Sequence, residues 1–302
     1  MPPKWTFHES VPAAMDNRSL KALLHEYWLL PKHLVFSIRK AERVLVNGRY
    51  QPINFPVKAD DQITMTFLPS DFRQPFPPVL PDPTTTVKVL YEDQNLIVIN
   101  KRRGDKTHPN QPGETGATIN HLAAYLKSEN RLPYMVHRLD QETSGAIIFA
   151  KNPAVVPILV ANIAAKRIQR TYLAWVSGRN LPATGTITLP IGLDPTDKRK
   201  RAVNGPHAAA ATTHYHVVRK VGGNTLLEIQ LETGRTHQIR VHLAAIGHPL
   251  IGDPLYNDTD NGALMLHSWK VGLVMPFTNQ LVTVTAPIPN DFHDFERRIQ
   301  QT

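Results

Sequence analysis

His137-Arg138-Leu139-Asp140-Gln141-Glu142-Thr143-Ser144-Gly145 runs straight into Ala146-Ile147-Ile148-Phe149-Ala150. The first nine residues are polar and turn-prone. The next five are apolar without interruption, which reads as a buried strand. The pair therefore looks like an active-site loop feeding a core strand. Within the loop, Arg138 and Asp140 point the same way, because extended side chains alternate with period two. A neighbouring guanidinium favours the charged form of a carboxylate. An ionised Asp of this kind is minimal equipment for attacking a sugar carbon. A structural ion pair between Arg138 and Asp140 fits the same spacing.

Working outward, further strands are expected at Val87–Tyr91, Leu96–Asn100, Thr171–Val176, Thr186–Leu189, Ala211–Val218, Leu226–Leu231, Leu264–Ser268 and Leu281–Thr285. Helices are expected at Asn120–Lys127, Ala154–Ala165 and Thr236–Ile246, the last closed by Gly247 as a left-handed cap. Many strands with few helices between them predict an α+β domain built on a large, mostly antiparallel mixed sheet. It should occupy residues 87–302.

Ahead of it, residues 19–68 read as a small module behind an N-terminal tail, residues 1–18. Leu20, Leu23, Leu24, Tyr27 and Trp28 carry the stripe of an amphipathic helix, which Pro31 breaks. Leu34, Val35 and Ile38 mark a second short helix with Lys32, Arg39 and Lys40 on its other side. Asn47-Gly48 between short apolar runs signals a hairpin, flanked by Arg43 and Arg49. Asp60-Asp61 then turns the chain into the alternating strand Ile63–Phe67. Between module and domain, residues 69–86 hold Pro69, Pro75, Pro77, Pro78, Pro81 and Pro83, the composition of a semi-rigid linker.

The formal charge of +9 on 302 residues favours an anionic partner, nucleic acid before a membrane surface. The chain has no cysteine, which excludes disulfides and thiolate metal sites and fits a reducing cytoplasm. No apolar run nears the roughly 20 residues of a membrane span, and the first 16 residues do not form a secretory signal. A soluble, cytoplasmic protein is expected.

Two more clusters bear chemistry. In Leu231–His242, Gly234 lies between a strand and a helix, and Arg235 would emerge near the helix N-terminus. From there it can reach an ion pair in a neighbouring loop, or a phosphate. His237 and His242 are five apart, poor spacing for two metal ligands on one helical face, and read as hydrogen-bonding or core residues. In Lys166–Val176, the basic part suits phosphates, and Tyr172, Ala174 and Val176 share one strand face.

Taken together these segments resemble the RluA-type pseudouridine synthases. His137 to Gly145 match the family signature His-Arg-Leu-Asp-x-x-Thr-Ser-Gly at every fixed position. Thr233–Arg240 is similar to the second motif, and Gly252-Asp253-x-x-Tyr256 and Leu266-His267 to later ones. Tyr91-Glu92-Asp93, Asn100-Lys101 and His108-Pro109 resemble the opening strand and loop. The two-helix module resembles an S-four-like RNA-binding module.

The resemblance implies an isomerase that converts uridine to pseudouridine without a cofactor. It implies Asp140 as catalytic aspartate, Tyr172 as active-site tyrosine and Arg235 as the arginine paired with Asp140. Arg138 would hold the flipped nucleotide, with His137, Thr143, Arg170 and Lys101 beside the substrate. Lys32, Arg39, Lys40, Arg43 and Arg49 would grip the RNA backbone. The chain departs from the family at Lys101-Arg102-Arg103-Gly104, where Lys-Pro-x-Gly is usual, and has Arg170 and Ser268 in place of a usual Lys and Ala. Ribosomal RNA of the large subunit is the first expected partner and transfer RNA the second, with no metal and no membrane, and the chain acting as a monomer. Two rivals remain: a non-catalytic RNA-binding assembly protein, and a glycoside hydrolase using Asp140 with Glu142.

Overall fold

The computed structural model describes residues 4–72, 79–258 and 262–301. Its N-terminal sheet has strands β1 (Trp5–Ser10), β2 (Val44–Val46), β3 (Arg49–Tyr50) and β4 (Gln62–Phe67) in the order β1-β4-β2-β3. Two helices accompany it. α1 (Leu20–Ala22) is capped by Ser19 Oγ and prolonged by a π-helical turn over Leu23–Tyr27. α2 (Lys32–Lys40) starts after Pro31 and buries Leu34, Val35 and Ile38. Asn47 and Gly48 both take positive φ, as the expected hairpin turn requires.

The residues expected as a tail include β1, which pairs with β4 from Trp5↔Phe67 to Ser10↔Gln62. As an edge strand it buries Phe7 alone, so its hydrophobic alternation is weak.

The second region holds β5 (Val89–Glu92), β6 (Leu96–Lys101), α3 (Thr118–Leu126), β7 (Tyr134–Met135), β8 (Ser144–Ala150), α4 (Val156–Ala164), β9 (Gln169–Ser177) and β10 (Thr184–Ile187). It continues with β11 (Ile191–Leu193), β12 (Arg201–Val203), β13 (Thr213–Val221), β14 (Asn224–Leu231), α5 (Gln238–Ala245), β15 (Leu266–Val274), β16 (Leu281–Thr285) and α6 (Asn290–Gln300). Ten strands form one sheet, in the order β10-β13-β14-β9-β15-β8-β6-β5 with β16 and β7 on its flanks. The β8–β15 pair is parallel and its neighbours are antiparallel, the mixed sheet the sequence predicts. The sequence pattern does not predict α6: its run is mostly polar, and its buried residues, Phe292 and Phe295, pack with Trp175.

Alternation along the central strands feeds two cores. Ile147 and Phe149 of β8 pack with Tyr172, Ala174 and Val176 of β9 against α3 and α5. Ala146, Ile148 and Ala150 face the other way, into a core shared with α4 and the N-terminal module. Phe277 locks that second junction. Its ring centroid lies 5.2 Å from Phe7 and 5.5 Å from Trp28, and its carbonyl accepts the Trp28 indole N–H at 2.9 Å. The module therefore sits on the back of the ten-stranded sheet as part of a continuous core. Of the expected linker, Pro75, Pro77 and Pro78 lie outside the described residues.

Candidate active site

The signature loop connects β7 to β8, and its backbone is held on both sides of Asp140. Thr107 Oγ1 donates to the Leu139 carbonyl at 2.7 Å and accepts from the Leu139 N–H at 3.2 Å. The Gln141 carbonyl accepts from the Gly104 N–H at 3.0 Å and from Lys101 Nζ at 2.9 Å. The Thr143 N–H closes a turn onto the Asp140 carbonyl at 3.1 Å. Gly145 has φ +110°, and a Cβ there would lie 2.2 Å from the Ser268 carbonyl oxygen. Glycine is needed there to let β8 lie beside β15.

Lys101 is a correction to the expected RNA contacts. It is 1% exposed, and its ammonium also donates to the carbonyls of Arg102 (2.9 Å) and Asp105 (2.6 Å). With three carbonyls around three N–H donors, it is a scaffold residue. Burial pulls its pKa down to about 8. His137 is likewise structural. Its Nε2 accepts the Ile148 N–H at 3.1 Å, and burial pushes its pKa down to about 3, so it stays a neutral acceptor.

Asp140 opens into a cleft lined by Arg138, Thr143, Arg170, Tyr172, Arg235, His237 and Arg240. Its side chain is 18% exposed. Arg240 Nη1 lies 3.7 Å from Asp140 Oδ2 and His237 Nε2 lies 4.0 Å from it, both beyond hydrogen-bond reach. Arg240 itself is anchored: Nε and Nη2 donate to Asp253 at 2.8 and 2.7 Å, and its guanidinium lies 5.1 Å from the Tyr256 ring centroid.

The expected Arg235–Asp140 pair is not the one the structure forms. Arg235 precedes α5, is exposed at the cleft rim, and donates from Nε to the Ala210 carbonyl at 3.1 Å. The guanidinium beside Asp140 belongs to Arg240, in the first turn of α5. Arg138 is exposed, and the Asp140 carboxylate turns inward toward Arg240 rather than to Arg138.

Tyr172 is 4% exposed on β9, in register with Ser268 of β15, and burial pushes its phenol above the usual value. His242 is fully buried, bonded to Thr213 Oγ1 at 2.9 Å and to the Leu189 carbonyl at 2.8 Å, as a core histidine should be. His237 is different. Its Nδ1 lies 2.9 Å from the Tyr256 hydroxyl while Nε2 faces Asp140, a placement that its spacing from His242 did not reveal. Burial lowers its pKa to about 4, against the opposing pull of Asp140.

On the module, Lys32, Lys40 and Arg49 are exposed and Arg39 is half-exposed. Arg43, expected among them, is committed to structure. It makes two 2.7 Å bonds to Asp71 and one of 2.8 Å to the Thr66 carbonyl. Among the described residues, no cluster of three or more His, Asp or Glu side chains is placed to hold a metal ion, and no helix is long and apolar enough to cross a membrane.

The chain matches known proteins along most of its length. The family described as RNA pseudouridylate synthase matches residues 95–245, and the one described as RluD ribosomal pseudouridine synthase N-terminal domain matches residues 7–63. An uncharacterized RNA pseudouridine synthase of Bacillus subtilis, YhcT, is 38% identical over 262 residues, covering 85% of each chain. The ribosomal large subunit pseudouridine synthase D of Neisseria meningitidis serogroup A is 33% identical, over 94% of this chain and 79% of the relative. Among solved structures, human RNA pseudouridylate synthase domain containing 4 superposes with a TM-score of 0.58 at 22% identity. That match covers 71% of this chain and 93% of the human one, and it shows the shared fold.

Proposed function

Because the chain belongs to the RNA pseudouridylate synthase family, we propose that it isomerises uridines of large-subunit ribosomal RNA, with Asp140 acting on the ribose. The observation that carries this reading is the state of the Asp140 carboxylate. It sits at the floor of a cation-lined cleft with its backbone clamped on both sides and its oxygens beyond hydrogen-bond reach of Arg240 and His237. A carboxylate so placed is free to meet a ribose carbon. The choice of RNA rests on relatives named as large-subunit synthases and on the matching N-terminal module.

The uridine must leave its stack to reach the cleft, at a cost of a few kcal/mol. Arg138 at the rim holds the displaced nucleotide, and the exposed cations Lys32, Arg39, Lys40 and Arg49 position the backbone. The bond from C1′ to uracil N1 breaks, the base turns, and C1′ bonds to C5. C5 gives up its proton and N1 takes one, so atoms and electrons balance with no cofactor. Asp140 serves as nucleophile at C1′ or promotes elimination to a glycal. Arg240 orients it from 3.7 Å. Tyr172, kept protonated by burial, stacks on the base and donates a hydrogen bond. Such RNA lies in the cytoplasm.

The test is deletion of the gene, with pseudouridines mapped across ribosomal and transfer RNA. At least one large-subunit site should revert to uridine, and return with the wild type but not with Asp140→Asn. Loss confined to transfer RNA would overturn the choice of RNA. Restoration by Asp140→Asn would overturn the catalytic assignment.

A further inference from the structure

The turn joining β11 to β12 carries Lys198, Arg199 and Lys200, and Arg201 opens β12, its backbone bonded to Tyr256. Lys198 and Arg199 are exposed and Lys200 is half-exposed; Asp197 engages Arg199 at 2.7 Å. The hairpin is tightly folded. A Cβ on Gly192 would lie 2.3 Å from the Gly205 carbonyl oxygen, so only a glycine lets these segments approach. Its underside is fixed to α5 by a small core of Ile191, Ala211 and Val241, against which Val203 and Tyr256 pack.

One thread of polar contacts runs from this hairpin to the catalytic carboxylate. The Arg201 backbone N–H donates to the Tyr256 hydroxyl at 2.7 Å. That hydroxyl lies 2.9 Å from His237 Nδ1, and His237 Nε2 lies 4.0 Å from Asp140 Oδ2. The phenol oxygen accepts the Arg201 proton, which leaves its own proton available to Nδ1. With Nδ1 accepting, the imidazole proton is on Nε2, aimed at Asp140.

We propose that Tyr256 and His237 are positioning residues that tie Asp140 to the basic hairpin, so that seating RNA phosphates on Lys198 and Lys200 sets the orientation of the carboxylate. The inference rests on the reading of Asp140 as the ribose-directed group. Closing the Nε2–Oδ2 gap by about 1 Å would turn it into a hydrogen bond. Burial keeps His237 neutral; Asp140 and Asp253 oppose this with negative charge, Arg240 and Arg201 assist it with positive charge, and Tyr256 lies against Nδ1.

The first measurement needs no RNA. In the free protein, His237 followed by NMR should hold the Nε2–H tautomer down to about pH 4. In Tyr256→Phe, which keeps the ring over Arg240, it should titrate about one unit or more higher. A wild-type His237 that carries its proton on Nδ1, or titrates near 6.5, overturns the relay.

The second measurement uses transcripts of large-subunit ribosomal RNA, then of transfer RNA, taking whichever the wild type converts. Tyr256→Phe should lower the single-turnover rate at saturating RNA by roughly 10–100-fold with KM nearly unchanged, and raise the acid limb of its pH profile. Lys198→Ala/Lys200→Ala should lower both affinity and saturated rate. Added to Tyr256→Phe, it should cost little further rate, because both act through one thread. Additive losses, or a wild-type rate and pH profile in Tyr256→Phe, overturn the proposal. A wild type inactive on both RNAs, or an active Asp140→Asn, refutes the functional reading instead, and the NMR titration then decides the relay by itself.

Discussion

Two carboxylates face the guanidinium of Arg240 and are treated in opposite ways. Asp253 is fully buried, holds Arg240 with two bonds, and accepts the N–H groups of Leu255 and Tyr256 at 2.9 and 3.1 Å. Asp140 is partly exposed and stands 3.7 Å from the same guanidinium. Asp253 is saturated and inert, and its work is to fix the arginine. Asp140 shares the charge of that arginine while keeping oxygens free for a reaction. One arginine thus supplies structure on one side and an oriented electrostatic field on the other.

The sharpest way to break this contrast is to neutralise each carboxylate in turn. Asp140→Asn should abolish turnover, by more than roughly 10,000-fold, while folding stability changes by less than about 1 kcal/mol. Asp253→Asn should act first on stability. It leaves a buried guanidinium without its anion and should cost about 3–5 kcal/mol in denaturant titration. If Asp140→Asn unfolds as readily as Asp253→Asn, both residues are structural and the assignment fails.

The second contrast concerns pH and separates the site region from the module. Burial holds His137 near 3, His237 near 4 and His267 near 4 in the folded chain, well below the usual histidine value. Below about pH 6.5 the unfolded chain takes up these protons and the folded chain does not, so stability must fall as pH drops from about 6.5 toward 4. Glu9, in the module, works the other way. Burial raises it to about 7, so the folded chain binds that proton first. The net uptake on unfolding near pH 5 is about two protons, or roughly 3 kcal/mol per pH unit. Equilibrium unfolding at pH 7, 6 and 5 measures this. A flat profile would mean that the histidines are not buried in their neutral form.

How much of this could be read from sequence follows from the same physics. Strand and helix positions came through because alternation and helical stripes are local. β1, β7, β11, β12 and α6 did not: β1 and α6 are each anchored by only one or two buried aromatics in a polar run, and β7, β11 and β12 are only two or three residues long. The site divides likewise. Asp140 and Tyr172 were named from motif and resemblance, and the structure places both on one cleft. The sequence points to Arg235 rather than Arg240 as the arginine partner, because the choice depends on where α5 begins and which way its first turn faces. Lys101 and Arg43 look in sequence like any other cation. Only their three-dimensional partners, backbone carbonyls for one and Asp71 for the other, show that they are consumed inside the fold.

That last distinction yields the smallest effects and a clean separation. Arg43→Ala strands the Asp71 carboxylate, whose side chain is 1% exposed, although Ser37 and the Leu68 N–H still donate to it. The loss should be about 2–3 kcal/mol of stability. Because the module shares its core with the catalytic sheet, the loss should appear in one cooperative transition rather than as separate melting of the module. Lys40→Ala, on the exposed face of α2, should leave the denaturant midpoint unchanged within error. It should instead weaken RNA binding and lower the slope of log affinity against log salt by about one. Lys32→Ala and Arg39→Ala should follow Lys40→Ala. If Arg43→Ala behaved like them, with an altered salt slope and unaltered stability, Arg43 would belong to the RNA surface after all. The module's basic face would then extend to the edge of its sheet.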